Sequence, residues 1–213
     1  EYRPLTERCV VVGYHNELLV EELLNQVEEP FAIVVTNPSA DIEFAEAQLP
    51  GVAVQPMAIS RIGDLGQVDL LLAFDILDRC ADPEALFRAA DEVLEPGGLL
   101  LATTTLGSGF DVQLLWDMAG DIQPPERLNL LSVEGLTQLC LRHGFEILEF
   151  STPGMFDVEI VCQTIAEQPE GDWPRFMRYL AERGDSEALG ALQEYLQRFR
   201  LSSFGRIALR KPA

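Results

Sequence analysis

The sequence has few basic residues, and this scarcity excludes two common kinds of partner. Its 213 residues include 15 lysines and arginines against 35 aspartates and glutamates, which gives a formal net charge of −20. Binding to a phosphate backbone or an anionic membrane depends on basic side chains, and a surface with this balance repels both. We therefore predict that neither nucleic acid nor a membrane is a partner.

Cysteine and long apolar runs are also scarce. Cys9, Cys80, Cys140 and Cys162 form no Cys-x-x-Cys pair, and no histidine cluster lies beside them. This spacing predicts neither a metal site nor a disulfide framework, so we expect buried, reduced thiols. The chain shows no apolar run of about eighteen residues and no signal peptide, which favours a cytoplasmic protein. It begins with Glu1 rather than Met, which leaves open that it is a fragment of a longer protein.

The apolar content is sufficient for one sizeable core. Hydrophobic residues make up 47% of the chain, and this content over 213 residues is typical of one globular domain. We predict a single domain over residues 1–213. Its core covers about residues 8–151, and a C-terminal helical elaboration with a closing strand covers about residues 152–213.

The clearest pattern is a strand–helix–strand unit between residues 68 and 105. The unit begins with an apolar strand at Val68–Phe74, and its helix starts with the N-cap Asp82 and with Pro83 in the first turn. A turn at Pro96-Gly97-Gly98 ends the helix and leads into a second strand at Leu99–Thr104. A continuous apolar strand is typical of a parallel sheet that is buried on both faces. Aspartate followed by proline favours a helix start, and the later proline and glycines favour a turn directly into the next strand. The unit predicts an open α/β sheet.

Shorter patterns extend this sheet on both sides. Further strands are predicted at Arg8–Gly13, Phe31–Thr36, Val52–Gln55, Phe145–Phe150 and Gly205–Lys211. Helices are predicted at Glu17–Val27, Ala40–Leu49, Asp111–Ala119, Val133–His143, Trp173–Arg183 and Ser186–Arg200. Residues 56–67 are predicted to be irregular, and the apolar spacing of residues 158–168 fits a helix or a strand. The predicted fold class is α/β, with an open, mostly parallel sheet, helices on both faces and a final antiparallel strand.

A loop and two tryptophans are candidates for ligand contact. Leu106–Phe110 contains two glycines and follows a predicted strand, which places it at the carboxyl edge of the sheet. Ligand loops lie at that edge in open α/β folds. Trp116 and Trp173 are interpreted as packing residues, with a substrate platform as the alternative.

Two long segments resemble one enzyme family. The segment VDLLLAFDILDRCADPEALFRAADEVLEPGGLLLATT is similar to the second half of the Rossmann-like core of class I S-adenosylmethionine-dependent methyltransferases. The segment PPERLNLLSVEGLTQLCLRHGFEILEF resembles a segment of a bacterial subgroup of these enzymes. The resemblance implies a Rossmann-like fold, S-adenosylmethionine as the cofactor and methyl transfer to a small acceptor. Because fold alone does not establish activity, the site residues decide the function.

The loop after the first strand departs from the family pattern, which is close to Asp-x-Gly-x-Gly-x-Gly. The same register gives Val11, Gly13, His15 and Glu17, so only the first glycine is present. Glycines there let the backbone approach the methionine part of the cofactor. His15 instead places a bulky ring in the loop. Glu17 places a carboxylate near the carboxylate of the cofactor, a repulsion of about 1 to 4 kcal/mol.

The resemblance also implies a set of cofactor-binding residues. They are Gly13, Tyr14, His15, Asn37, Met57, Phe74 and Asp75. Asn37 replaces an acidic residue that accepts hydrogen bonds from both ribose hydroxyls, and its amide oxygen accepts one. Met57 is expected to pack on the adenine base. Asp75 ends a strand, where it contacts a ligand or, in the alternative, caps a turn.

Catalytic residues are weakly indicated. Arg79 and Arg127 stand where the resembling family has histidines, and a permanently charged guanidinium cannot act as a general base. Together with Asp75 they are the weak candidates for catalysis. The two arginines either converge on one anionic group or form surface ion pairs. No metal site is predicted.

Two functions therefore remain as alternatives. In the first, the protein is an enzyme that binds S-adenosylmethionine and methylates a small molecule. In the second, it is a non-catalytic methyltransferase-like domain that has lost cofactor binding and acts through protein interactions. The partner is a small-molecule acceptor in the first case and a protein in the second. The sequence predicts no oligomeric state.

Overall fold

The computed structural model describes residues 8–13, 30–35, 54–120, 122 and 124–213, with residues 30–35 and 54–56 described by their backbone alone. Seven described strands form one sheet: β1 (Cys9–Val12), β2 (Pro30–Val35), β3 (Val54–Pro56), β4 (Val68–Phe74), β5 (Leu94–Thr105), β6 (Glu146–Ser151) and β7 (Phe204–Arg210). Their order in the sheet is β3-β2-β1-β4-β5-β7-β6. β7 is antiparallel to both of its neighbours, and the pairs from β3 to β5 are parallel. The predicted fold class is confirmed.

The described helices are labelled in chain order. They are α1 (Pro83–Val93), α2 (Phe110–Leu115), α3 (Val133–Arg142), α4 (Asp157–Glu167), α5 (Arg175–Arg183) and α6 (Ser186–Arg198), with 3-10 helices at Ile59–Leu65 and Trp116–Met118. None of these helices is long and apolar enough to cross a membrane. The helices predicted at Glu17–Val27 and Ala40–Leu49 lie outside the described residues.

The unit from β4 to β5 forms as predicted at its beginning. The Asp82 carboxylate accepts a hydrogen bond from the Glu84 backbone N–H at 3.0 Å, so it is the N-cap of α1. The inner face of α1 is apolar and buried, with Leu86, Phe87, Ala89, Ala90 and Val93. Each large side chain that is fully buried contributes about 1.5 to 3 kcal/mol. This face anchors the helix to the sheet.

The end of the unit differs from the prediction. Pro96-Gly97-Gly98 was expected as a turn before a strand, but β5 already begins at Leu94, opposite Val68. Pairing resumes regularly at Leu99, opposite Leu70, so the three residues form an irregularity inside the strand. Gly97 has a φ of 84°, which a residue with a Cβ rarely adopts. The glycine pattern therefore marks a bulge rather than a separate turn.

Two other segments correct or complete the predictions. Residues 56–67 were expected to be irregular, yet Ile59–Leu65 is a 3-10 helix whose Ile62 is fully buried in the same cluster as Phe87. The ambiguous segment at 158–168 belongs to α4 (Asp157–Glu167), a helix. Apolar spacing could not decide between helix and strand there, because packing against other helices makes the choice.

The C-terminal helices have a hydrophobic cluster of their own. This C-terminal cluster joins α2 to α4 and α5 through Leu115, Ala119, Val161, Ile165, Trp173, Met177 and Leu180. A buried polar network supports it, because the Asp157 carboxylate accepts hydrogen bonds from Ser203 N at 2.7 Å, Ser202 Oγ at 2.8 Å and Gln193 Nε2 at 2.8 Å. These contacts connect α4 to α6 and to the residues that enter β7. The C-terminal region is thus held against the segment that follows β5.

Candidate functional site

The ends of β1 and β4 meet at the carboxyl edge of the sheet. The strand order runs to β3 on one side of β1 and to β5 on the other side of β4, so the order reverses between these two strands. Ligands bind in the crevice at such a reversal in open α/β sheets. Gly13 follows β1 with a φ of 137°, and a Cβ on it would lie 2.7 Å from the Phe74 carbonyl oxygen. Only glycine fits this close approach, which lets the chain leave β1 directly against the end of β4.

Asp75, directly after β4, has an unusual backbone conformation. Its φ is 51°, a left-handed value that aspartate tolerates better than most residues. Its Oδ1 accepts a hydrogen bond from the Thr103 hydroxyl at 3.0 Å, and its N–H donates to the Thr103 carbonyl at 3.1 Å. Oδ2 has no hydrogen-bond partner among the described residues. Oδ1 is thus held by the neighbouring strand β5 and not by a turn, and contact with a ligand stays a prediction for Oδ2.

Arg127 forms a buried ion pair beside this crevice. Its guanidinium donates to Asp78 Oδ2 and to Thr105 Oγ1, and the Asp78 side chain is fully buried. The Asp78 carbonyl also accepts hydrogen bonds from the N–H groups of Leu128 at 2.6 Å and Asn129 at 3.0 Å. Residues 127–129 are therefore fixed on the loop that follows β4.

The electrostatics of Asp78 reflect its burial. Loss of solvent raises the pKa of the Asp78 carboxyl above its ordinary value, and the neighbouring Arg127 guanidinium offsets part of this rise. The negative charge of Asp75 raises the pKa of Asp78 further, because a second negative charge disfavours ionisation of Asp78. Among the residues that the structure describes, none forms a hydrogen bond with Asp78 Oδ1. The charge of Asp78 therefore depends strongly on Arg127.

Arg79 has a different environment. Its Nη1 lies 3.7 Å from Glu126 Oε2, and the exposed fractions of the two side chains are 37% for Arg79 and 67% for Glu126. Each of the two arginines thus pairs with a carboxylate, as in the ion-pair alternative, and the charge of Arg79 also lowers the pKa of Asp78, the partner of Arg127. The expected surface position is wrong for Arg127, whose side chain is mostly buried. Direct contact of either arginine with a ligand stays a prediction.

A pocket of about 660 Å³ lies at the same edge of the sheet, past the end of β5. We call it the β5 pocket, and the described residues that line it are Gly107, Ser108, Val112, Gln113, Trp116, Asp117, Ile122, Leu130 and Ser132. Its volume lies in the range of small-molecule sites. Gly107 and Ser108 belong to the loop Leu106–Phe110, so this position agrees with the prediction that the loop lies at the carboxyl edge of the sheet.

The two tryptophans differ in environment. Trp173 is buried in the C-terminal cluster, so its interpretation as a packing residue is confirmed. The same interpretation is wrong for Trp116, whose side chain is 65% exposed and borders the β5 pocket. The predicted helix at Asp111–Ala119 ends early, because Trp116 has a φ of 47° and a ψ of −112°. Apolar periodicity continues through this segment, so the break could not be predicted from local sequence.

The remaining predicted cofactor contacts are only partly visible. Tyr14, His15, Glu17 and Asn37 lie outside the described residues. Phe74 is partly buried at the end of β4, and Met57 packs against the main hydrophobic core. Contact of Met57 with an adenine base stays a prediction.

Comparison with known proteins agrees with this geometry. A family model described as a methyltransferase domain matches residues 9–150. No curated protein sequence matches the chain significantly. Similar solved structures include an S-adenosylmethionine-dependent methyltransferase from Mesorhizobium loti, which is 15% identical, with 98% of this chain and 93% of that chain covered and a TM-score of 0.59.

Two further structures show the same fold similarity. A putative sarcosine dimethylglycine methyltransferase from Galdieria sulphuraria is 14% identical, with 98% of this chain and 80% of that chain covered and a TM-score of 0.59. In a complex of the Haloferax volcanii Trm112 methyltransferase activator with a putative methyltransferase, the matched chain is 14% identical, with 99% of this chain and 85% of that chain covered and a TM-score of 0.63. Because the family match spans more than half of the sequence, the chain belongs to the methyltransferase domain family, and it has the class I fold of S-adenosylmethionine-dependent methyltransferases.

Proposed function

We propose that this protein transfers a methyl group from S-adenosylmethionine to a small acceptor molecule. The observation that carries the proposal is the β5 pocket, which opens at the same edge of the sheet as the crevice between β1 and β4. A methyltransferase needs two adjacent sites at that edge, one for the methyl donor and one for the acceptor. Membership of the methyltransferase domain family supports this assignment.

The donor site would be formed by the residues at the crevice. Gly13 keeps the ends of β1 and β4 close together at this crevice, and Asp75 Oδ2, which has no partner among the described residues, could accept a hydrogen bond from the ligand. By the resemblance, Asn37 would accept a hydrogen bond from the ribose, and Met57 would contact the base. When bound, S-adenosylmethionine supplies an electrophilic methyl carbon on a positively charged sulfur.

The chain contributes mainly alignment to the chemical step. Arg79 and Arg127 cannot accept a proton, and the rigid segment at 127–129 instead holds one wall of the acceptor site in place. Holding a nucleophilic acceptor in line with the methyl group lowers the barrier without a strong base. The acceptor lone pair would form the bond to the methyl carbon as the carbon–sulfur bond broke, with its electron pair remaining on sulfur.

Calorimetric titration with S-adenosylmethionine and S-adenosylhomocysteine tests the proposal. We expect saturable binding of both ligands by a sample whose folding is checked by circular dichroism. The absence of heat at millimolar ligand from a folded sample would contradict it. The variant with both His15→Gly and Glu17→Gly shows whether the altered loop is used: affinity rises if these side chains only obstruct the ligand, and falls if they contact it.

One observation favours the second candidate, a non-catalytic domain that acts through protein interactions. Most of the exposed large apolar side chains among the described residues lie in the C-terminal part, and they include Met155, Phe156, Phe176, Tyr179, Tyr195 and Phe199. Exposed apolar area of this kind is typical of interaction surfaces. This candidate predicts no binding of either cofactor form in the same titration.

A further inference from the structure

We infer that the β5 pocket binds an apolar molecule carrying a positively charged amine, and that Trp116 and Asp117 are the residues that recognise it. The inference rests on the proposed function only where it identifies the bound amine as the methyl acceptor. The binding itself can be measured without any methyl donor.

The walls of the β5 pocket favour an apolar ligand. Val112 is fully buried beneath the pocket, and Ile122 and Leu130 add aliphatic surface. Trp116 supplies the largest apolar surface at the mouth. Small-molecule sites are lined mainly by such side chains, with a few polar groups that select the ligand.

The charge of the β5 pocket favours a cation. Asp117 is the single charged residue among the described residues that line it, and it forms no ion pair with any described residue. The whole chain has a net charge of −20, so the surrounding field has the same sign as Asp117. An indole face attracts ammonium groups through its quadrupole. An exposed indole next to an unpaired carboxylate therefore suits an amine and repels a carboxylate.

The other polar groups of the β5 pocket already have structural roles. Ser108 Oγ accepts a hydrogen bond from Val133 N at 3.2 Å, and Ser132 Oγ accepts one from Gly135 N at 3.0 Å. Gln113 Nε2 donates to the Gly107 carbonyl. These contacts hold the walls together. Asp117 is left as the polar group with no such role, which makes it the determinant of ligand charge.

The backbone at Trp116 indicates that its exposed position is imposed by its surroundings. A φ of 47° with a ψ of −112° is disfavoured for any residue with a Cβ. On either side, Leu115 and Ala119 are buried in the C-terminal cluster, and Ala119 N donates to the Trp116 carbonyl at 2.9 Å. Strain of this kind persists where the surrounding structure fixes it, and it concentrates at ligand sites. Here it keeps the indole at the mouth of the β5 pocket.

The nitrogen reacts as the free amine in methyl transfer. The bound ammonium therefore gives one proton to solvent at the open mouth, where Trp116 and Asp117 are exposed. Its lone pair then forms the nitrogen–carbon bond as the carbon–sulfur bond breaks with its electron pair on sulfur. The product is a methylated ammonium, which keeps the charge that Asp117 recognises.

The test is calorimetric titration of the full chain, without S-adenosylmethionine, with three probes of similar size: 2-phenylethylamine, 2-phenylethanol and 3-phenylpropionate. We expect the amine to bind about fivefold or more tightly than the alcohol, and the carboxylate to bind most weakly. The variant Asp117→Asn should lose most of the preference for the amine, with alcohol affinity unchanged, because only the indole of Trp116 then favours the ammonium. Trp116→Ala should weaken both.

Asp64→Asn is the matched control, because it removes one exposed negative charge before β4, at the opposite edge of the sheet. It should keep the wild-type preference for the amine. The inference is overturned if wild type binds none of the probes, if the alcohol or the carboxylate binds as well as the amine, or if Asp117→Asn keeps the preference. Failure of the methyl-donor titration alone would contradict the proposed function and leave the amine preference standing.

Discussion

The unit from β4 to β5 and the segment that follows it, residues 106–132, differ in how local sequence relates to structure. In the unit, an apolar strand, an N-cap and a buried helix face agree with one another. In residues 106–132, a short helix breaks at a strained Trp116, and a large aromatic ring stays exposed beside a pocket. Agreement between local sequence preferences and tertiary packing is typical of the parts of a protein that specify its fold. Conflict between the two is typical of functional sites.

The largest expected effect contrasts one ring from each region. Phe87→Ala removes a fully buried ring of the unit and should lower the free energy of unfolding by about 3 to 5 kcal/mol. Trp116→Ala removes a larger but mostly exposed ring and should change it by less than about 0.5 kcal/mol. Urea denaturation followed by circular dichroism measures both. Equal losses would contradict the contrast between the two regions.

The next effect concerns the ion pair that joins the regions. Arg127→Ala leaves the buried Asp78 carboxylate without its partner and should cost about 3 kcal/mol at pH 7. Arg79→Ala is the control, because its pair with Glu126 is exposed, and it should change stability by less than about 0.5 kcal/mol. A loss from Arg127→Ala no larger than that from Arg79→Ala would show that residues 127–129 are held by other contacts.

The same ion pair predicts a dependence on pH. Burial raises the pKa of Asp78 in the folded protein above its ordinary value of 3.8, so the folded state holds this proton more tightly than the unfolded chain. The contribution of Asp78 to stability is therefore fully present below that ordinary value and is lost as pH rises through the folded pKa. Removing Arg127 raises the folded pKa further, so Arg127→Ala should cost less at pH 4 than at pH 7. An equal cost at both pH values would contradict this account.

A smaller effect tests the strain at Trp116. Glycine adopts backbone angles near a φ of 60° and a ψ of −120° without a steric penalty, and those of Trp116 are close to them. Trp116→Gly should therefore be more stable than Trp116→Ala by about 1 kcal/mol, since both lack the indole and differ in the strain. Both variants should lose affinity for the amine probe. Lower stability of the glycine variant would argue against backbone strain.

The smallest effect compares helix caps in the two regions. Asp82 caps α1 in the unit, and Ser132 caps α3 at the edge of the β5 pocket. Replacing either by alanine should cost about 1 kcal/mol in urea denaturation. Only Ser132→Ala should also alter the affinity of the β5 pocket for its probes, because Ser132 lines it. An equal change in affinity for Asp82→Ala would indicate that the cap acts through stability alone.

Sequence predicted the fold well where local signals and packing agree. The apolar run of β4 and the Asp82 cap of α1 were both predicted from neighbouring residues, and the structure contains both. The antiparallel pairing of β7 also agrees with the prediction of a final antiparallel strand. The bulge at Pro96-Gly97-Gly98 was misinterpreted as a turn, because glycine and proline favour both structures.

The site was less predictable because its contacts are distant in the chain. Arg127 reaches Asp78 across 49 residues, and no local pattern indicates this pairing. The break at Trp116 depends on the burial of Leu115 and Ala119 in the C-terminal cluster, which only the tertiary structure shows. Asp75 was identified because a strand end can be located from sequence, whereas its partner Thr103 could not be.

Hydrogen exchange with and without S-adenosylhomocysteine tests the central claim most directly, because it reports both binding and its position. We predict that the ligand slows amide exchange at Gly13 and at residues 74–79, on the two sides of the crevice between β1 and β4. The amides of α6 (Ser186–Arg198) should be unaffected. Unchanged exchange at Gly13 and residues 74–79 in saturating ligand would contradict a cofactor site at this crevice.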